Sequence, residues 1–311
     1  MNMSAALTVI LIAGNNRQRA QRMLRSVLDQ DVADQVVVIV YDRADRPTRD
    51  LPEFTLPNIV YEPVEKHSTY AQLQKRGLLA ASTEVVAFIE EHVVVPPGWA
   101  RESLERHREG YAGVSGTFVS GNPQRRWART VLLITYGSYA VSAQPGETIN
   151  IPGDNSSFIR SKLLKYGEEL ETLLSTDILL TRRLIADGER LYRADMVVRH
   201  WNDVKFVDNW LALFYSNQLY ICNLMAVEKW SLGQRLRRLL VIPLVPFVRL
   251  LKNYRAAKQN RVEMKQLLAD IPAIFLFHVA SAAGMAAALL FGYQNSERRF
   301  ADYETTAESW E

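Results

Sequence analysis

The sequence predicts an α/β fold with a mixed but mostly parallel sheet flanked by helices, followed by a helical C-terminal region. Three observations predict it. The first 120 residues alternate between apolar runs of strand length and apolar residues at helical spacing. The strand-like runs are apolar throughout, as strands covered on both faces by helices are. After about Trp201 the alternation stops, and aromatic, apolar and basic helical patterns replace it.

Leu7 to Ala13 reads as the first buried strand, and Ala20, Met23, Leu24, Val27 and Leu28 as one face of the helix after it. Val36 to Tyr41 is a second strand, stopped by Asp42, and Asn58 to Val64 a third. Tyr70, Leu73, Gly77, Leu78 and Ala81 return to helical spacing, and Glu84 to Ile89 is a fourth strand. Strands joined through helices imply right-handed crossovers and parallel pairing. Ligands of such sheets sit at the carboxyl ends of the strands, here Ala13-Gly14-Asn15, Asp42 and Glu90-Glu91-His92. Further along, Tyr111 to Val119 reads as a strand and Arg125 to Tyr139 as a helix. Asn150 to Ile159 carries the turn Pro152-Gly153-Asp154-Asn155 into another strand. A helix through Leu179, Leu180, Arg183 and Leu184 ends near Gly188, and Arg190 to His200 is a final strand. The expected domains are 1–204 and a helical region, 205–311.

Within that region Trp210 to Val227 has a helical pattern. Leu239 to Val248 is apolar but holds Pro243 and Pro246, and is too short to span ~30 Å of hydrocarbon. Ile271 to Tyr293 has 23 residues without Asp, Glu, Lys or Arg, long enough to span, re-enter or lie on a bilayer. Ala280, Gly284 and Ala288 form a small-residue ridge suited to close helix packing, so a buried hairpin or a dimer contact is the competing reading.

The net charge of +3 conceals an asymmetry: Lys229 to Lys265 holds ten Lys/Arg and one acid, Glu263, hence +9 against −6 elsewhere. Basic residues interleaved with Leu, Val, Ile and Phe point to an anionic membrane surface or to a solvated helix face. No helix-turn-helix, zinc-finger or RNA-binding pattern accompanies them, so nucleic acid is not an expected partner. The single cysteine, Cys222, excludes an intrachain disulfide and a cysteine-rich metal site and fits a reducing compartment. The first residues lack the basic start of a secretion signal.

For chemistry, the strand ends are the candidates. Asp42 can accept hydrogen bonds from a ribose or base. Glu90 and His92, two apart, face the same way on a strand, with Glu91 turned aside. A carboxylate with an imidazole suits Mn²⁺ better than Mg²⁺, which favours oxygen ligands. A solvated strand end is the bland alternative.

In order and spacing these segments resemble family 2 glycosyltransferases. Leu7 to Ile12 with Asn15-Asn16-Arg17 resembles the opening strand and "YNR" turn, and Leu24 to Gln30 the "L-x-S-[LV]-x-x-Q" helix. Val38 to Asp42 resembles the "VVDD" strand, whose Asp contacts the nucleoside. Gly77-Leu78 ends a segment like "ARN-x-G-[LI]", its Arg and Asn falling on Gln74 and Lys75. Val86 to His92 resembles "[VI]-x-F-L-D-x-D" with Glu and His at the acidic positions, and Pro96-Pro97-Gly98-Trp99 the "P-x-W" that follows. Gly153-Asp154-Asn155 through Arg160 resembles the acceptor-side strand, "G-x-N-x-x-[FI]-[RK]". Thr176-Asp177 with Leu180, Arg183, Leu184 and Gly188 resembles "E-D-x-x-L-x-x-R-L-x-x-x-G", and Val197 to His200 the closing "V-x-H".

The resemblance covers about residues 7 to 200. It implies a glycosyltransferase-A fold, Rossmann-like, and inverting transfer from a nucleotide-sugar with Asp177 as catalytic base. It implies donor contacts at Asn15, Arg17, Asp42, Gln74, Lys75, Glu90, Glu91, Asp154 and Asn155, and Mn²⁺ or Mg²⁺ at Glu90, His92 and His200. Lys75 and Arg76 are further candidates for the leaving diphosphate, or solvated helix residues. With the basic region, the expected acceptor is a lipid-linked or polysaccharide glycan, met by a membrane-associated protein at the cytoplasmic side of the cell membrane. Self-association is possible through the small-residue ridge. Two alternatives remain: a nucleotidyltransferase, although Ala13 to Arg17 is not a basic glycine-rich loop, and a non-catalytic relative that binds a nucleotide or a membrane protein.

Overall fold

The computed structural model describes residues 5–139, 144–202, 205–259 and 264–306. In chain order, the elements begin β1 (Leu7–Ala13), α1 (Arg17–Leu28), β2 (Val36–Asp42), β3 (Ile59–Pro63), α2 (Tyr70–Ala80), β4 (Val85–Glu90) and β5 (Val93–Val94). They continue with α3 (Trp99–Arg108), β6 (Gly113–Ser120), α4 (Arg126–Tyr136), β7 (Gly146–Thr148), β8 (Ser156–Ile159), α5 (Arg160–Leu164), α6 (Leu170–Leu174), α7 (Asp177–Ala186) and β9 (Leu191–His200). Five helices follow: α8 (Phe206–Val227), α9 (Leu232–Val241), α10 (Val245–Gln259), α11 (Met264–Phe291) and α12 (Ser296–Thr306). Two compact units result, one of Met1–Gly121 with Ala143–Trp201, the other of Asn122–Ser142 with Asn202–Glu311.

The first unit is built on one sheet with the strand order β3-β2-β1-β4-β8-β6-β9-β5, and β7 beside β9. β1 runs parallel to β2 and β4, and β2 to β3. β8 is antiparallel between β4 and β6, and β6 is parallel to β9. The register opposes Ala13 to Asp42 and Ile12 to Glu90, so β1, β2 and β4 end together at one edge. All seven residues of β1 are buried, which is why its sequence shows no alternation. α1 starts where the Asn16 side chain accepts from the Arg19 N–H (3.4 Å), and it buries Ala20, Met23, Leu24 and Val27. α2 starts at a capping box of Thr69 and Gln72. The Gln30 side chain donates to the Pro96 carbonyl (3.0 Å) and accepts from the Ala100 N–H (3.1 Å). The motif glutamine thus ties the end of α1 to the start of α3.

Asn150–Ile159 holds the expected turn and the strand that it feeds, Ser156–Ile159. The Pro152–Asn155 turn takes its first half, with Asn155 in the left-handed region at φ 59°. β5 and β7 are two and three residues long, below the length at which alternation can register. α3, WARESLERHR, gives a thin signal, because five of its ten residues are charged and only Trp99, Ala100 and Leu104 are apolar.

The second unit is helical. Val131 of α4, Leu213 of α8, and Phe277 and Ala280 of α11 share one core, flanked by Trp127, Ile134, Phe206 and Trp210. A second cluster joins Ala257, Leu267 and Ile274. Ala280, Gly284 and Ala288 are all buried, and a Cβ on Gly284 would stand 2.0 Å from the Phe214 carbonyl oxygen. The small-residue ridge is therefore where α8 and α11 meet backbone to backbone. α11 is long and apolar enough to cross a membrane by length and composition, with 44% of its most apolar window buried inside the protein.

Candidate functional site

Glu90, His92 and His200 form the chemical centre of the first unit. Glu90 closes β4, and His200 closes β9. β4 and β9 run in the same direction, through the antiparallel β8 and the parallel β6–β9 pair, so both carboxyl ends reach one edge. Strand periodicity is not what brings His92 beside Glu90, because β4 ends at Glu90 and His92 lies in the turn beyond it. Pairing of Val93 in β5 with His200 instead carries His92 across to β9. The Trp201 N–H donates to the His92 carbonyl (2.9 Å), fastening the same turn.

The geometry is tight. The two histidine Nε2 atoms stand 3.0 Å apart with the rings edge to face, and Glu90 Oε2 is 3.6 Å from His92 Nε2 and 3.7 Å from His200 Nε2. One ligand atom from each residue falls within 4.8 Å of the others. Burial pushes both imidazoles down to about 3; Arg19 and Arg22 add to the effect at His92, while at His200 the neighbouring His92 adds to it and Glu90 opposes it. They are neutral at physiological pH, the state in which imidazole ligates a cation. One carboxylate and two neutral imidazoles converging on a point fit a divalent first-row transition metal better than Mg²⁺.

Asn155 supports this centre. Its Nδ2 donates to Glu90 Oε2 (2.5 Å) and its Oδ1 accepts from the Glu90 N–H (3.0 Å), while its own N–H donates to the Phe88 carbonyl (2.7 Å). The left-handed backbone of Asn155 is what turns both ends of the amide onto Glu90. Such a partner fixes the orientation of a metal-ligating carboxylate.

Glu91 requires a correction. Its grouping with the donor-contacting residues does not hold, because the side chain is 2% exposed and points inward. Its Oε2 accepts from the Gly14 N–H (2.7 Å), and its Oε1 is 3.7 Å from Arg19 Nη1. Burial raises its carboxyl to about 7 against the opposing pull of Arg19 and the Gly14 amide. Glu91 holds the β1–α1 turn in place from beneath.

Asp42, at the end of β2, is fully buried and well supplied with donors. Arg17 grips it through two parallel bonds (2.9 and 2.7 Å), the Tyr61 hydroxyl donates to Oδ2 (2.5 Å), and the Ala44 and Thr48 N–H groups donate at 3.1 Å each. The Gly14 and Thr48 carbonyls and the Asp50 carboxylate engage the guanidinium as well, so the Arg17–Asp42 pair fastens the ends of β1 and β2 to the loop between β2 and β3. Asn15 exchanges hydrogen bonds with Asp45, donating to its carboxylate (3.1 Å) and accepting from its N–H (2.8 Å). Tyr61, Thr48 and Arg19 had no local sequence signal, since Tyr61 and Arg19 join the site through strand pairing and helix packing and Thr48 through the backbone of the loop after β2.

The remaining positions lie around this edge. Gln74, on α2, donates to Asp154 (2.5 Å), linking α2 to the turn before β8. Lys75 Nζ is 3.8 Å from Glu168 and 4.0 Å from Glu171, and Arg76 pairs with Glu62 and stacks on Tyr41. Both cations are thus engaged with carboxylates of the protein rather than aimed at the Glu90 cluster. Asp177 is the first residue of α7; its side chain lies outside the described residues.

A family model described as "Glycosyl transferase family 2" matches residues 8–167, just over half of the 311-residue chain. Among solved structures, a crystal structure of GalNAc-T7 with UDP, GalNAc and Mn²⁺ is similar, with a TM-score of 0.50 at 11% identity. The match covers 65% of this chain and 45% of that one, so this chain aligns with less than half of that protein's length. The likeness is one of fold, a curled, mostly parallel sheet of the glycosyltransferase-A kind. No curated protein matches the chain in sequence.

Proposed function

The chain belongs to glycosyl transferase family 2, and from that premise we propose that it transfers a sugar from a nucleotide-sugar donor to an acceptor hydroxyl, with the donor diphosphate beside Glu90, His92 and His200. The observation that supports this most is the meeting of those three side chains within 4.8 Å at the carboxyl edge of the sheet, where folds of this class receive ligands.

The reaction is an inverting displacement. The acceptor oxygen bonds to the anomeric carbon while the bond from that carbon to the diphosphate oxygen breaks, its electron pair leaving with the nucleoside diphosphate. Asp177 takes the proton of the attacking hydroxyl. Glu90, His92 and His200 would hold a divalent cation such as Mn²⁺, which would compensate the charge that develops on the leaving group. Asn155 keeps Glu90 in its ligating orientation. Arg17, held between Asp42 and Asp50, stiffens the β1–β2 end of the same edge. The acceptor is a lipid-linked or polysaccharide glycan at the cytoplasmic face of the cell membrane, a reading supported by the ten Lys/Arg between Lys229 and Lys265 and by the apolar α11.

Thermal-shift titration with UDP, GDP, CMP and dTDP, each with and without Mn²⁺, tests the donor site; UDP with Mn²⁺ is the first pair to try. One nucleotide is expected to stabilise the protein, by about 2.7 kcal/mol at 100 times its Kd. The Mn²⁺-dependent part disappears in His92→Ala. Asp177→Asn abolishes transfer and leaves nucleotide stabilisation intact. If none of the four nucleotides stabilises the protein, the donor site is wrong. Stabilisation indifferent to both Mn²⁺ and His92→Ala removes the metal role.

A further inference from the structure

We infer that α9 and the first half of α10 form an in-plane anchor for an anionic lipid surface, while α11 remains a core helix of the second unit. This deepens the membrane-face part of the proposed function and does not depend on sugar transfer.

α9 buries none of its residues. Its formation is local: a capping box sets its start, with the Ser231 hydroxyl accepting from the Gln234 N–H (3.3 Å) and Gln234 Oε1 accepting from the Ser231 N–H (2.7 Å). Yet Leu232, Leu236 and Leu240 recur every four residues along one side and are 72%, 54% and 80% exposed. Packing inside the protein gives that periodicity no purpose. Beyond α9 the same exposure continues at Leu244 and Phe247, each 60%, and Leu251, 49%. Scattered exposed leucines are ordinary, but a sustained series on one short segment marks an interaction surface.

Charge identifies the occupant. At 100° per residue, Arg235 and Arg237 flank the α9 leucine stripe on either side, and both are exposed. Lys229, Lys252, Arg255 and Lys258 are exposed too, and no acid occurs from Lys229 through Val262. A protein partner or a second copy would be met by mixed charge at such a rim. An apolar stripe bordered only by cations suits acyl chains below and lipid phosphates beside it.

α11, although more apolar, is built into the unit by polar contacts. Its buried Asp270 pairs with Arg126 (2.7 Å) and lies 3.7 Å from Arg129. His278 is bonded to Asn253, and Gly284 lies against the Phe214 carbonyl. Spanning a bilayer along Ile271–Tyr293 would put His278, buried and bonded to Asn253, at the depth of the hydrocarbon.

The test uses the full chain purified without detergent and vesicles of phosphatidylcholine alone or with phosphatidylglycerol. The protein is expected to co-sediment with the phosphatidylglycerol vesicles and to be released by salt. The double variant Leu236→Glu/Leu240→Glu weakens this binding at least about tenfold, with its thermal midpoint and nucleotide response unchanged. Arg235→Gln/Arg237→Gln removes the preference for phosphatidylglycerol. Wild-type protein that binds neither vesicle, or leucine variants that bind as wild type does, overturns the anchor. So does a dimer that the leucine variants split without change in vesicle binding, which assigns the face to a second copy. A chain soluble only in detergent, and still membrane-inserted as Leu236→Glu/Leu240→Glu, assigns the membrane contact to α11. In that last case the anchor fails while the membrane-face reading stands.

Discussion

His92, His200 and His107 make the folded first unit sensitive to acid. The first two are pushed down to about 3 and His107 to about 4, in every case mainly by burial. His107 sits between the Tyr111 carbonyl (2.8 Å from Nδ1) and the Ser157 hydroxyl (2.9 Å from Nε2). A histidine pKa below its ordinary 6.5 means that the unfolded chain takes up the proton first. Its contribution to stability is complete above 6.5 and is lost as pH falls toward the folded value. Glu91, raised from 4.5 to about 7, acts in the opposite sense and loses stability as pH rises through that interval. Three histidines outweigh one glutamate, so metal-free protein should lose stability steadily below pH 6.5. His107→Gln should flatten the decline by up to one proton, about 1.4 kcal/mol per pH unit. Denaturant titrations at several pH values read this directly, and equal slopes for the two proteins would show that His107 accepts a proton without cost.

At the scale of elements, the smallest one has the largest effect. β5 is two residues long, but its pairing with β9 decides that His92 meets His200. Its sequence, Val93-Val94, could never have announced this, because strand pairing is a long-range fact. The helical counterpart is the contact of α8 with α11. Gly284 was readable as part of a small-residue ridge, but the partner and the closeness were not. Gly284→Ala places a methyl 2.0 Å from the Phe214 carbonyl oxygen. Helix propensity favours alanine by about 1 kcal/mol. The clash cannot be relieved by rotating a side chain, because the obstacle is backbone. The net outcome is a loss of about 1–3 kcal/mol, seen as a lower thermal midpoint. A neutral or stabilising result would mean that α8 and α11 separate freely.

At the scale of the molecule, the chain does not divide where its character changes. The sequence shifts near Trp201, yet Asn122–Ser142 belongs to the helical unit with everything after Asn202. α4 buries Val131 against Leu213 and Phe277, and its Arg126 pairs with Asp270. A chain ended at residue 204 would leave Trp127, Val131 and Ile134 without those partners. Such a truncation should bind a hydrophobic dye and self-associate. A monodisperse, dye-free 1–204 chain would show that α4 needs none of the later helices.

The alternation of strands and helices, the family, and Glu90 and His92 at a strand end are legible in the amino-acid order, and His200 joins them there only through the family resemblance. Buried parallel strands and their carboxyl-end residues are written locally, as apolar runs stopped by Asp42 or by Glu90. The folded chain adds that Glu91 turns inward to Gly14, that Arg17 and Tyr61 surround Asp42, and that Asn155 holds Glu90. It also decided that α11, apolar enough for a bilayer, buries Ile274, Phe277, Ala280 and Gly284 within its own unit, while the less apolar α9 buries none of its residues. The physical reason is common to all of these. Periodicity records how much apolar surface an element must cover, and folding alone decides what covers it.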